Sequence, residues 1–147
     1  IEPSRGLGDV YKRQAEQLAV EIGLAENPYD KIGFLQSDLF RAVRLVVDTG
    51  IHHKRWSREK AINYMYKKTG KAMSSVVAEI ERYIAWPGQA CSYKIGMLKI
   101  LELRQNARET LGIRFDIRDF HDFILENGEV PLTVLEDNYK EWIKKKS

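Results

Sequence analysis

From Ala15 to the closing lysines, apolar residues recur three and four positions apart, and nowhere do short β-branched runs alternate with polar residues. That periodicity fits helices buried along one side and excludes half-buried strands. The chain is therefore expected to be all-α, with about seven helices in a single bundle. Leu18, Ile22 and Leu24 close a first helix, stopped by Gly23 or by Asn27-Pro28. A long second helix is expected from about Asp30 to Ile51, with Ile32, Leu35, Leu39, Val43 and Val46 as its core stripe. Ser57 caps a third helix that ends at Thr69-Gly70, and Ser74 or Ser75 caps a fourth that turns Val76, Val77, Ile80, Tyr83 and Ile84 inward. Pro87 opens a fifth helix that runs to Leu111. Asp116 caps a sixth, stopped by Gly128, and Pro131 leads a seventh into Lys144, Lys145 and Lys146, whose charges suit a helix C-terminus.

Residues 1–14, IEPSRGLGDVYKRQ, carry neither period. The run PSRGLGDVYKRQ resembles a translated cloning adapter, so residues 1–14 are set apart as a non-native leader and residues 15–147 are read as the helical part. The formal charge is +3, of which the leader holds +1 and the lysine tail +3, leaving −1 for everything between. A near-neutral body argues against a surface built throughout for a polyanion. One cysteine, Cys91, excludes an internal disulfide. No stretch is long and apolar enough to predict a membrane span, and the residues leave the cellular compartment open.

Two constellations carry chemistry. On a helix of about 100° per residue, Arg41, Arg44, Asp48 and His52 share one stripe. Arg44 to Asp48 and Asp48 to His52 are i, i+4 pairs, so one carboxylate is placed to hold a guanidinium and orient an imidazole. The plain alternative is a solvated face, but Phe34 and Leu45 fall in the same sector and predict packing against something. The second constellation runs from Tyr83 to Tyr93, YIAWPGQACSY, where a Trp-Pro-Gly corner launches a helix with Gln89 and Tyr93 one turn apart. A neutral tyrosine hydroxyl suits oxyanion stabilisation in acyl transfer, although a core tyrosine is the simpler reading. Both constellations are expected to face one open concavity.

The three histidines form no zinc-binding spacing, so no metal ligand is assigned within this chain. His121, between Phe120 and Phe123, reads as structural, and Cys91 as a small buried residue. Residues 57–84 have helix-turn-helix dimensions beside Lys54, Arg55, Arg58, Lys60, Lys67, Lys68 and Lys71, which makes a nucleic-acid-binding module the rival reading. Against it, the would-be recognition helix bears Glu79 and Glu81 and only Arg82. No nucleic-acid partner is therefore assigned.

Four ordered motifs, Arg41-Ala-Val-Arg-Leu-Val-Val-Asp-Thr-Gly-Ile-His52, Trp56-Ser-Arg-Glu-Lys-Ala, Tyr83-Ile-Ala-Trp-Pro-Gly-Gln-Ala and Tyr93-Lys-Ile-Gly, resemble the C-terminal part of the bacterial domain-of-unknown-function family 885, a gluzincin-like group of zinc metallopeptidases. The later Arg114-Phe-Asp-Ile-Arg-Asp-Phe-His and Asn127-Gly-Glu-Val-Pro-Leu segments resemble it too. The resemblance implies a larger all-helical peptidase that acts on a peptide substrate. Its zinc is held by a His-Glu-x-x-Pro-Gly-His helix and by a glutamate in a Glu-Gly-Trp segment, neither of which is in this chain. Ala15-Glu16 resembles the end of that second ligand helix. The implied chain is the substrate-side part of the peptidase, inactive without its missing N-terminal partner segment; a relative that has lost catalysis and only binds peptides is the other reading. On this reading Tyr93 is the oxyanion donor and His52, positioned by Asp48, a second donor or substrate ligand. Arg44, Asp48, Gln89 and Tyr83 are substrate-binding.

Overall fold

A computed structural model describes Gly23 and residues Asn27–Ser147. The expected first helix and the 1–14 leader lie outside these residues. The described residues form six α-helices and one 3-10 turn, with no strand: α1 Pro28–His52, α2 Arg58–Thr69, α3 Met73–Ala85, α4 Gln89–Leu111, the turn Gly112–Arg114, α5 Ile117–Asn127 and α6 Leu132–Lys146. The chain is all-α, as its periodicity predicts. None of the described helices is long and apolar enough to cross a membrane.

Local chemistry sets most of the ends. The Asn27 side chain accepts from the Tyr29 N–H to start α1, and Pro28 occupies the first turn, where its missing N–H costs nothing. Ser57 caps α2 by accepting from the Lys60 N–H, and Gly70 at φ 62° ends it in the left-handed region. The Asp116 side chain caps α5. The expected cap of α3 by Ser74 or Ser75 is not found: the helix begins at Met73, with both serines inside its first turn and no side-chain cap. Once Gly70 has reversed the chain, nothing in Met73-Ser74-Ser75 resists helical geometry.

Instead of one bundle, the chain divides into two compact units, and the boundary between Lys94 and Ile95 falls within α4. In the unit that ends at Lys94, α1, α2 and α3 pack around Val43, Val47, Ala61, Met65, Val76, Ile80 and Tyr83. In the unit from Ile95 to Ser147, Ile100, Leu103, Phe120, Phe123, Ile124, Leu135 and Tyr139 form the core. There the Phe123 and Trp142 rings lie 5.1 Å apart.

The core stripe expected on α1 is corrected by the structure. Of its five residues only Val43 is buried, while Ile32 and Leu35 are 60% and 63% exposed and Leu39 and Val46 are also exposed. The buried residues Val43, Val47, Asp48 and Gly50 all lie in the C-terminal half of α1 and include a carboxylate and a glycine. A Cβ on Gly50 would come 2.6 Å from the Trp56 ring, so the indole lies directly on the helix backbone there. The Trp56 backbone N–H also donates to the Gly50 carbonyl at 2.9 Å, and the Tyr64 ring lies tilted against the indole with centroids 5.3 Å apart.

Candidate functional site

The polar stripe of α1 faces α3 and the Trp86-Pro87-Gly88 corner, all in one unit. Arg44 does not pair with Asp48. Its Nε donates to the Tyr83 hydroxyl at 3.0 Å and one of its terminal nitrogens donates to Glu79 Oε2, also at 3.0 Å. The same Glu79 oxygen accepts from Arg82 at 2.9 Å and from the Tyr83 hydroxyl at 2.5 Å. Burial alone would raise the Glu79 pKa, but the Tyr83 and Arg82 hydrogen bonds and the Arg44 charge bring it below the ordinary carboxylate value. Burial and the Glu79 carboxylate push the Tyr83 phenol well above its usual range, so it stays neutral. The Arg44 guanidinium is stacked between two rings, 4.8 Å from the Phe40 centroid and 5.1 Å from that of Tyr93.

Asp48, 3% exposed, accepts the Gly88 N–H on both carboxylate oxygens at 3.1 Å. Gly88 sits at φ 79°, immediately before α4, so a buried anion clamps the corner and the N-terminal end of that helix. Burial and the adjacent Asp48 charge push the Cys91 thiol up to about 11, which keeps it protonated and inert at neutral pH. His52 Nε2 lies 2.9 Å from the Tyr83 carbonyl and 3.7 Å from Asp48 Oδ1. Because a carbonyl oxygen only accepts, Nε2 must carry the proton, which leaves Nδ1 as the available ring nitrogen.

Gln89 bridges Arg82, which donates to its amide oxygen, and the Tyr93 hydroxyl, to which its amide nitrogen donates at 3.3 Å. Tyr93 uses its oxygen as acceptor in that bond, and its own O–H has no acceptor among the described residues. The two constellations thus meet through Arg44, Gln89 and Tyr83. They meet as a packed network, however, and not around an open concavity: Tyr83 is fully buried and Asp48 nearly so.

Several expected roles change accordingly. Tyr83 and Asp48 lie beneath the surface and position their neighbours; neither reaches a substrate from there. Arg44 is held by Glu79, Tyr83 and two rings, and Gln89 is committed at both ends of its amide. Tyr93 and His52 remain the side chains with an uncommitted polar atom and partial exposure. Glu79 and Arg82, which the sequence reading left out of the site, are its electrostatic centre. The signal was there: Glu79, Arg82 and Tyr83 are spaced i, i+3 and i+4, one face of one helix. No group of three metal-binding side chains occurs among the described residues.

Comparison with known proteins decides the family. Residues 14–138 match the family described as "Bacterial protein of unknown function (DUF885)". The chain belongs to that family. A solved structure, described as "The crystal structure of the putative lipoprotein from Colwellia psychrerythraea", superposes with a TM-score of 0.91 at 55% sequence identity. The match covers 95% of this chain and 24% of the Colwellia chain, so the present chain spans about a quarter of that relative. No curated protein matches it. The motif that carries Arg44, Asp48 and His52 and the one that carries Tyr83 and Gln89 both lie within the region matched to DUF885.

Proposed function

We propose that this segment is the substrate-facing part of a zinc-dependent peptidase, its metal ligands supplied by chain outside these residues. Bound zinc would supply an activated water and polarise the scissile carbonyl. The observation that carries the reading is the pair of uncommitted polar atoms on an otherwise fully bonded network. The Tyr93 ring is held against the Arg44 guanidinium, and its O–H has nothing of its own to donate to, as an oxyanion donor requires before substrate arrives. His52, locked by the Tyr83 carbonyl, offers Nδ1 as an acceptor to a substrate amide N–H. Arg44, Glu79, Arg82, Tyr83 and Gln89 act as positioning residues. Gln89 and Arg44 fix the tyrosine, and Asp48 fixes the corner from which its helix starts.

The test uses the longer protein that contains this segment. Tyr93→Phe is expected to lower kcat on a peptide substrate by about a hundredfold with little change in KM, as loss of a donor used chiefly in the transition state does. An unchanged kcat removes Tyr93 from the chemistry. The present chain alone is expected to bind no stoichiometric zinc, since its three histidines lack ligand spacing. One tightly held zinc per chain refutes the assignment of the ligands to other segments.

A further inference from the structure

Six cations, Lys54, Arg55, Lys60, Lys67, Lys68 and Lys71, lie along α2 and in the two turns that flank it. In the same unit Arg44, Arg82 and Lys94, and Arg58 at the start of α2, are each paired with a carboxylate. None of the six has such a partner among the described residues. Glu59, the one acid of α2, sits beside Arg58 instead. At 100° per residue, Lys60, Lys67 and Lys68 fall within about 100° of arc, centred about 120° from the buried Ala61, Ile62, Met65 and Thr69, and all three are exposed. The result is an exposed stripe of unneutralised positive charge about 12 Å long.

Aromatic rings hold part of this stripe in place. The Lys60 ammonium lies 4.7 Å from the Trp56 centroid, Lys68 6.0 Å from that of Tyr64 and Lys71 4.3 Å from that of Phe40. Lysine thus occupies the ring faces that nucleic-acid bases would need for stacking. The helix after the turn, α3, presents Glu81 in a pair with Arg58, the wrong charge for reading a groove. Five of the six cations are lysines, point charges that suit many phosphates in a plane; geometric, bidentate recognition of single carboxylates favours arginine.

We propose that α2 and its flanking turns form a docking face for an anionic phospholipid surface. This is independent of the peptidase reading and stands or falls separately from it. The test is flotation of the present chain with vesicles of equal parts phosphatidylglycerol and phosphatidylcholine, compared with pure phosphatidylcholine, at low and physiological salt. Salt-sensitive binding to the anionic vesicles alone is expected. The triple variant Lys60→Gln, Lys67→Gln, Lys68→Gln, whose side chains face outward, should keep its circular dichroism and melting temperature. Its partitioning should fall about a hundredfold, which corresponds to about 1 kcal/mol per lysine near such a surface. The variant Lys144→Gln, Lys145→Gln controls for the basic tail and should retain most of the binding. The proposal is overturned if anionic vesicles are not bound, if the tail variant loses binding while the α2 variant keeps it, or if DNA binds more tightly than the vesicles.

Discussion

Asp48→Asn is the substitution that most directly probes how the site is held. Both oxygens of the buried carboxylate accept the Gly88 N–H at 3.1 Å, and the anion faces the N-terminal end of α4. An asparagine keeps the shape and one acceptor, but it loses the charge and turns one acceptor into a donor. A hydrogen bond to a charged acceptor contributes about 1.5–3 kcal/mol against about 0.5–1.5 for a neutral one, so the bond itself loses about 1 kcal/mol. Loss of the anion's attraction to the helix N-terminus in a buried setting adds about 1–2 kcal/mol. Relief of the carboxylate's own desolvation acts in the opposite direction and keeps the figure from growing. The expected destabilisation is about 2–3 kcal/mol, which lowers Tm by roughly 6–9 °C for a chain of this size. Urea denaturation followed by tryptophan fluorescence measures it. A variant within about 0.5 kcal/mol of the parent, the scatter of an ordinary surface substitution, refutes the view that Asp48 clamps the corner.

Three other outcomes follow from particular contacts. Gly50→Ala is expected to cost up to about 2 kcal/mol: a Cβ 2.6 Å from the Trp56 ring overpacks the site by about 1–3 kcal/mol, less the roughly 1 kcal/mol that alanine gains over glycine in a helix, and a stabilised variant would refute the close approach. Because the Glu79 pKa is lowered on folding, its contribution is present above the ordinary value of 4.5 and is lost as pH falls below it; Glu79→Gln should therefore flatten the stability profile on the acid side, and an unchanged profile counts against the network. Nitrogen-15 spectroscopy of His52 in its neutral form should show the proton on Nε2, and a proton on Nδ1 would show that the bond to the Tyr83 carbonyl is not made.

The helical class, all six described helices and most of their ends were legible because caps and stops are local chemistry: Asn27, Ser57, Gly70 and Asp116 act on groups within a few residues of themselves. Which part of α1 is buried was not legible. Ile32, Leu35, Leu39 and Val46 are exposed, and the burial falls at Val43, Val47, Asp48 and Gly50, where the Trp56 ring lies on the glycine backbone and Gly88 supplies the partner of Asp48. The site was half visible for the same reason. Periodicity grouped Arg44, Asp48 and His52 correctly on one stripe, but their true partners, Glu79, Gly88 and the Tyr83 carbonyl, lie 31 to 40 residues further along the chain. Pairing by i, i+4 proximity therefore matched Arg44 to the wrong carboxylate.

Those sequence separations also fix an order of events during folding. The caps of α2 and α5 close over two or three residues, whereas the Asp48 clamp and the Arg44–Glu79 pair each close a loop ten times longer or more. Loop-closure entropy grows with the enclosed length and is offset only after α1, α2 and α3 have docked through Val47, Met65 and Ile80. The Gly88 amide should consequently be among the last in its unit to gain protection from hydrogen exchange during refolding. In the folded protein its exchange then reports the opening of the Trp-Pro-Gly corner by itself, a local excursion that leaves the three-helix core intact.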